Sequence, residues 1–334
     1  MAGKLIVVVG GQFGSEAKGK VISFLANEID LAIRTGSPNA GNTVIKDNHT
    51  YKLQQIPATF VNPKCQLCIG AGALIFPEIL IKEIELTQVQ NRIYIDSNVG
   101  IIEEKHLIQE QDLSDYIGTT KKGCGAALSD RIWRKNFKLA KDVINNFPLY
   151  DVAEMANQTI DEGKSVLIAG TQGFGLSLYH GFYPFVTSRD TTAANFLAES
   201  GISPRLVTDI ILVIRTYPIK VAGKSGIFPN EITWDELSRR IGKKVEERTT
   251  VTNNVRRIAE FDIELVKRAI LINRPTQIAL QFLNYLFPSD ENISVWKKLS
   301  YEAKAYIEKL ENELNVPITL IGTGAAEKAM IDRR

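Results

Sequence analysis

The residues best suited to chemistry are packed into one short stretch, Gly10-Gly11-Gln12-Phe13-Gly14-Ser15-Glu16-Ala17-Lys18-Gly19-Lys20. An apolar run at 5–9 precedes it and the helical pattern V-I-S-F-L-A-N-E follows. A strand, a glycine loop and a helix in that order aim backbone N–H groups at a phosphate. Lysines in such a loop add charge where phosphoryl oxygens sit. From Gly14 the chain reads G-x-x-x-x-G-K, a P-loop pattern whose last position is Val21 instead of Ser or Thr. Magnesium must then be held by other groups. The competing reading is a tight strand-to-helix turn with no ligand. A second loop, Gly36-Ser37-Pro38-Asn39-Ala40-Gly41-Asn42-Thr43, follows a strand-like run at 31–34. Its small and amide residues admit a ligand closely, and ligands of α/β folds bind at the carboxyl ends of strands.

The elements that must position these loops are short and apolar. Runs at 5–9, 66–69, 92–95, 166–169, 210–214, 277–280 and 318–321 read as strands. Several are apolar at consecutive positions, as in a parallel sheet covered on both faces. Between them lie helical patterns, among them 138–146 and the amphipathic 296–314. The alternation predicts an α/β fold with a mostly parallel central sheet and flanking helices. No repeat or linker interrupts residues 1–334, so a single domain with long active-site loops is expected.

Composition sets the boundaries. The 334 residues are 44% hydrophobic and 23% charged with net charge +2, which gives no electrostatic basis for bulk nucleic-acid binding. Pairs such as Lys121–Lys122 and Arg256–Arg257 suit a small anion instead. Cys65 and Cys68 form a lone C-x-x-C, and His49, His106 and His180 are scattered, so a four-ligand zinc site is not expected. The apolar start is too short for a secretory signal. No run approaches the roughly 20 apolar residues of a membrane span. A reducing cytoplasm is the expected location (host cytoplasm for a viral protein).

Taken in order, the loops G-S-E-A-K-G-K and P-N-A-G-N-T, then G-T-T-K-K-G-C-G-A-A at 118–127, Thr171-Gln172-Gly173, Y-P-F-V-T-S-R-D-T-T-A-A at 183–194, T-T-V-T-N-N-V-R-R at 249–257 and G-T-G at 322–324 resemble the adenylosuccinate synthetase family nearly end to end. The Q-F-G-S run, the F-Y-P-F-V-T-S-R-D-T-T-A segment, N-Y-L-x-P at 284–288 and the short chain resemble its phage-type 2-aminoadenylosuccinate synthetase branch.

The resemblance implies a P-loop-like synthetase fold and a two-step ligation. A γ-phosphate moves to the six-position oxygen of a purine monophosphate, and the amine of L-aspartate then displaces it. Site roles carry over by position. Ser15, Lys18, Asn42 and Gln172 take the catalytic positions. Gly14, Glu16, Ala17, Lys18, Gly19, Lys20, Gly41, Asn42, Thr43, Asn284, Gly322 and Gly324 line the triphosphate. Ser15, Asn39, Thr119, Thr120, Arg134, Gln172 and Thr187 hold the monophosphate, with Arg134 reaching the partner subunit's ligand in a homodimer. Thr249, Thr250, Val251, Thr252 and Arg256 take aspartate. Ser15 and Gly41 stand at the Mg2+ positions.

Departures from the family pattern refine the substrates. Ser15 stands where the family has a catalytic aspartate, and a hydroxyl is too weak a base for a purine ring proton. A serine leaves room for a two-amino group and can accept its hydrogen bond. With the resemblance, this implies dGMP as acceptor. The family run T-K-L-D, whose aspartate reads guanine of GTP, is here Gln281-Phe282-Leu283-Asn284, and Ala325-Ala326 follow G-T-G. Loss of that carboxylate points to ATP or dATP as donor. Asn42 replaces a histidine, Ala17 a glycine and Asn254 an arginine. The alternatives are an ordinary synthetase using IMP and GTP, and a non-catalytic nucleotide-binding regulator.

Overall fold

The computed structural model of the chain describes residues 3–145, 147–248 and 254–334. Among these, ten strands form the main sheet: β1 (Lys4–Gly10), β2 (Leu31–Arg34), β3 (Gln66–Ile69), β4 (Ile93–Asp96), β5 (Leu149–Tyr150), β6 (Ser165–Ala169), β7 (Asp209–Arg215), β8 (Gln277–Gln281), β9 (Ile318–Gly322) and β10 (Met330–Asp332). Their order across the sheet is β10-β9-β8-β7-β1-β6-β2-β3-β4-β5. All neighbouring pairs are parallel except β9 with β10. The mostly parallel α/β expectation is met.

β1 shows why the strands are apolar at every position. Leu5, Val7 and Val9 face one core, and Ile6 and Val8 face the other. Both sheet faces are therefore buried, and alternation is replaced by a continuous hydrophobic run. β1 pairs in parallel with β6 on one side and β7 on the other. The chain thus winds outward in two directions from β1. That is the switch point where loops at the carboxyl ends of strands diverge and leave a crevice.

Local departures from the expected elements have physical causes. The strand expected at 92–95 lies at Ile93–Asp96. The helix expected over 138–146 shrinks to one turn, Ala140–Val143; the adjacent β-branched Val143 and Ile144 disfavour propagation, and Asn146 lies outside the described residues. The long amphipathic stretch divides into a 3-10 turn, Trp296–Lys298, and the helix Tyr301–Leu314. Ser300 makes the break: its hydroxyl accepts from the Ala303 amide at 3.2 Å, and Asp290 holds the same hydroxyl at 2.6 Å. No helix among the described residues is long and apolar enough to cross a membrane.

A small antiparallel sheet, Ile219–Lys220, Arg257–Ala259 and Glu231–Ile232, stands beyond the carboxyl end of β7. It brings residues 254–257 back over the β1 loop.

Candidate active site

The loop after β1 folds on itself through Glu16. Its carboxylate accepts from the Gln12 amide at 3.1 Å and the Gly14 amide at 2.7 Å, and it pairs with Lys18 Nζ at 2.7 Å. Glu16 is fully buried and Lys18 is 4% exposed, so the loop carries its own internal charge balance. Gly10 is required here, because a Cβ would lie 2.5 Å from the Gln172 carbonyl. Helix α1 (Lys18–Leu25) then starts from Ala17, whose φ of 62° is left-handed.

The loop after β2 is held from below by two buried arginines. Arg34 donates to the Ala40 carbonyl at 2.7 Å and to that of Gln54; burial lowers its pKa to about 10. Arg189 donates to the Thr35 carbonyl at 2.6 Å and to Ser37 Oγ at 2.8 Å, and it pairs with Glu199 at 3.1 Å. Asn39 is thereby presented to the loop after β6. There Gln172, left-handed at φ 53°, donates Nε2 to Asn39 Oδ1 at 3.1 Å and accepts from Thr171 Oγ1 at 2.6 Å. Both ends of the Gln172 amide are oriented.

These loops wall a cleft of about 510 Å³, a size suited to small-molecule ligands. Gly14, Ser15, Lys18, Asn39, Gly41, Asn42, Thr119, Thr120, Gln172, Thr187 and Arg256 all line it. Ser15 Oγ accepts from Arg256 Nη1 across 241 residues of sequence. Asn42 packs on the start of α1, where a Cβ on Gly19 would lie 2.9 Å from the Asn42 Cβ. The Glu110 carboxylate also lines the cleft but is taken up by the amides of Gly123 at 2.7 Å and Gly125 at 2.6 Å. It closes the N-terminus of helix α2 (Cys124–Trp133). The Cys124 thiol lines the cleft too, and burial pushes it up to about 12. It is therefore a thiol and not a thiolate near neutral pH.

Other expected residues sit outside this lining. Lys20 Nζ donates to the carbonyls of Gly324 and Ala329, the latter at 2.9 Å, and burial lowers its pKa to about 8. It joins α1 to the turn that carries Gly324, two residues beyond Gly322 at the end of β9. Thr43 is exposed on the hairpin formed by Asn42–Lys46 and His49–Leu53. Arg134 is exposed at the end of α2. Asn284, in the turn after β8, is buried; its Nδ2 donates to Glu291 Oε1 at 3.3 Å, while its Oδ1 is buried without a partner. Thr249, Thr250, Val251 and Thr252 lie outside the described residues.

The donor set for a divalent cation is neutral oxygen, with the Gly41 carbonyl on the cleft wall. A hard cation fits such a set when nucleotide phosphates supply the charged ligands. Ser15 is less suited to metal ligation, because its hydroxyl already faces the Arg256 guanidinium.

Two residues that sequence reasoning passed over reach the site. Arg215 ends β7 and is 1% exposed, with Nη1 2.8 Å from the Ser15 carbonyl oxygen. Glu247 pairs with it at 2.6 Å. A charged residue closing the apolar run I-I-L-V-I-R was the available signal, since that end of a parallel strand faces the ligand crevice.

The adenylosuccinate synthetase family model matches residues 7–148 and 141–295. The adenylosuccinate synthetase of Methanocaldococcus jannaschii is 42% identical over 339 aligned positions, covering 98% of this chain and 96% of the relative. That of Pyrococcus horikoshii is 41% identical, covering 98% of each. Among solved structures, the fully ligated adenylosuccinate synthetase of Plasmodium falciparum superposes with a TM-score of 0.89 at 23% identity, over 99% of this chain and 100% of that one. The cyanophage S-2L succinoaminodeoxyadenylate synthetase (PurZ), bound to dGMP and to dATP as energy donor, superposes with a TM-score of 0.84 at 25% identity, over 100% of this chain and 96% of that one. With the phosphate-loop geometry, the oriented Gln172 amide and this end-to-end match, the chain belongs to the adenylosuccinate synthetase family and is a carbon–nitrogen ligase.

Proposed function

We propose that this ligase joins L-aspartate to the six position of dGMP, with ATP or dATP as phosphoryl donor, to give 2-amino-2'-deoxyadenylosuccinate. The observation that carries the reading is Ser15: a neutral hydroxyl on the cleft wall, held by Arg256. Among the described lining residues the one carboxylate, Glu110, is committed to backbone amides. A guanine two-amino group therefore meets a small hydrogen-bond acceptor there, and no carboxylate base is offered to the ring proton.

In the first step the γ-phosphoryl group passes from the donor to the six-position oxygen, the ring proton passes to water, and the nucleoside diphosphate departs. In the second step the aspartate amine attacks the six position, phosphate leaves, and the amine gives up one proton to water. The loop after β1, braced internally by Glu16, and Lys18 on the cleft wall position the phosphoryl group, and Gln172, fixed by Asn39, orients the base. Asn42 adds a hydrogen-bond donor but moves no proton. Arg256 takes a carboxylate of aspartate with its guanidinium fork. Mg2+, held through Gly41 and the phosphates, would neutralise charge on the transferred group.

Asn284 supports an adenine donor. Its Nδ2 is turned to Glu291, which leaves Oδ1 as its free function. One acceptor matches the single amino group of adenine, whereas the edge of guanine brings two donors. A homodimer accords with the exposed Arg134 beside Ile132 and Trp133, 75% and 76% exposed; light scattering of the purified protein measures it.

A second reading, IMP with GTP, has the larger comparison behind it. The relatives at 40–42% identity all carry the name adenylosuccinate synthetase, while the PurZ likeness stands at 25%. The deciding experiment offers the enzyme aspartate, Mg2+, each monophosphate and each triphosphate, and weighs the succinyl adduct by mass. Product from dGMP with ATP or dATP supports the proposal. Product only from IMP with GTP replaces it with the second reading, and tight binding without turnover points to a regulator.

A further inference from the structure

We infer that Arg215 and Glu247 are positioning residues that hold Arg256 against the cleft, so that aspartate capture depends on an ion pair, buried at its arginine and partly exposed at its glutamate, that touches no substrate. The inference rests on the proposed role of Arg256 as the carboxylate clamp.

The contacts run in an unbroken chain. Arg215 grips Glu247 with two nitrogens, at 2.6 and 3.2 Å. Its guanidinium is locked from a third side by the Phe282 ring, 3.7 Å from the ring centroid. Tyr285 Oη adds a bond to the same carboxylate at 3.1 Å. Glu247 in turn grips the residue that matters: its carbonyl accepts from the Arg256 backbone amide at 3.0 Å. The next pair along, Arg248 and Val255, form an antiparallel bridge. Trp234 Nε1 holds the Arg256 carbonyl at 2.7 Å from the other side. The Arg256 side chain therefore leaves a backbone clamped at both polar groups, and it reaches Ser15 Oγ.

Two features separate this pair from ordinary structural salt bridges. Arg215 Nη1 also bonds the Ser15 carbonyl oxygen, so one guanidinium sets both the residue at the purine edge and the strand bearing the clamp. Phe282 sits at φ 62°, a conformation that a bulky residue rarely adopts. Thr216 Oγ1 holds its carbonyl at 2.8 Å while Arg215 covers its ring. Arg257, one residue on, is committed elsewhere: it forks onto Glu231 at 2.8 and 2.6 Å. Of the two adjacent arginines, the one tied to Glu247 is the one in the cleft.

The test is a comparison of KM values in the full-length enzyme. Glu247→Gln keeps the shape and one hydrogen bond to Arg215 but removes the charge. It should raise KM for aspartate roughly tenfold, because displacing a clamp by a fraction of an ångström weakens every bond it makes. KM for the monophosphate should stay within about twofold, since the bond from Arg215 to Ser15 remains. The double variant Arg215→Met/Glu247→Leu removes both charges together, a change that buried pairs often tolerate in stability. It should melt near the parent and show the larger aspartate defect. If it does not fold, Glu247→Gln and Tyr285→Phe carry the test, the latter with the smaller effect. An unchanged aspartate KM in Glu247→Gln, or equal rises in every KM, overturns the inference. Wild-type protein that makes no succinyl adduct from any nucleotide overturns the underlying reading instead.

Discussion

Replacing Asn284 by Asp separates donor recognition from everything else the site does. The amide now gives Nδ2 to Glu291 Oε1 at 3.3 Å and keeps a buried, unpartnered Oδ1. The substitution would bring a second carboxylate to within that same distance of Glu291. Two like charges so placed repel by about 5 kcal/mol at an effective dielectric of 20. Glu291 is 37% exposed and lies 2.5 Å from Lys243, so solvent and the lysine remove most of this. About 1–2 kcal/mol remains, roughly a five- to thirtyfold rise in KM for ATP. Restoring an aspartate also restores two acceptors for guanine, yet the crowding at Glu291 works against them. GTP should therefore gain little in Asn284→Asp alone and more in Asn284→Asp/Glu291→Gln. Initial rates against ATP and GTP, with the monophosphate and aspartate saturating, measure this. An ATP KM that does not move in the single variant, with no GTP gain in the double, refutes Asn284 as the reader of the donor base.

Three further outcomes follow from the same geometry. Ser15→Asp should lower turnover of dGMP at least about tenfold and favour IMP, because a carboxylate fills the space of the two-amino group; unchanged selectivity in a competition assay would refute the purine-edge role. Ala17→Gly relieves a left-handed alanine and should raise stability by about 1 kcal/mol, read from a denaturant midpoint; an unshifted midpoint would deny the strain. Burial lowers the Lys220 pKa to about 8, and Arg257 adds repulsion. Between about pH 8 and its ordinary value the unfolded chain binds the extra proton, so stability should rise with pH across that window. Lys220→Met should flatten its share of the rise, and a flat wild-type profile would count against the shift.

The parallel strands were legible because burial on both faces leaves an uninterrupted apolar run, as at residues 5–9 and 210–214. The phosphate loop was legible because glycines and lysines crowd between a strand and a helix. What the pattern did not disclose is where charge ends up. Lys18 reads as a free cation, but Glu16 two residues earlier turns inward and neutralises it. Glu110 reads as an ordinary acidic residue, yet it seals a helix end inside the cleft. Glu247 and Tyr285 give no local signal, since their roles exist only once β7 and β8 are paired. The helix expected over 138–146 shortened for a nearer cause: Asp142 bonds the Leu139 amide at 2.8 Å and caps its start, but the β-branched Val143 and Ile144 disfavour propagation beyond that turn. The dGMP reading came mainly from resemblance to the phage-type branch, and the ATP reading from residue departures at 282, 284 and 325–326.

The bond between Ser15 and Arg256 joins points 241 residues apart, and the remaining walls come from several other loops. The lining residues run from Phe13 to Arg256 and meet only in the folded chain. Occupancy is therefore a report on the entire tertiary structure: a ligand at about a hundred times its Kd adds about 2.7 kcal/mol to the folded state alone. Melting curves taken with each nucleotide should rank the true substrates before any catalytic assay is run.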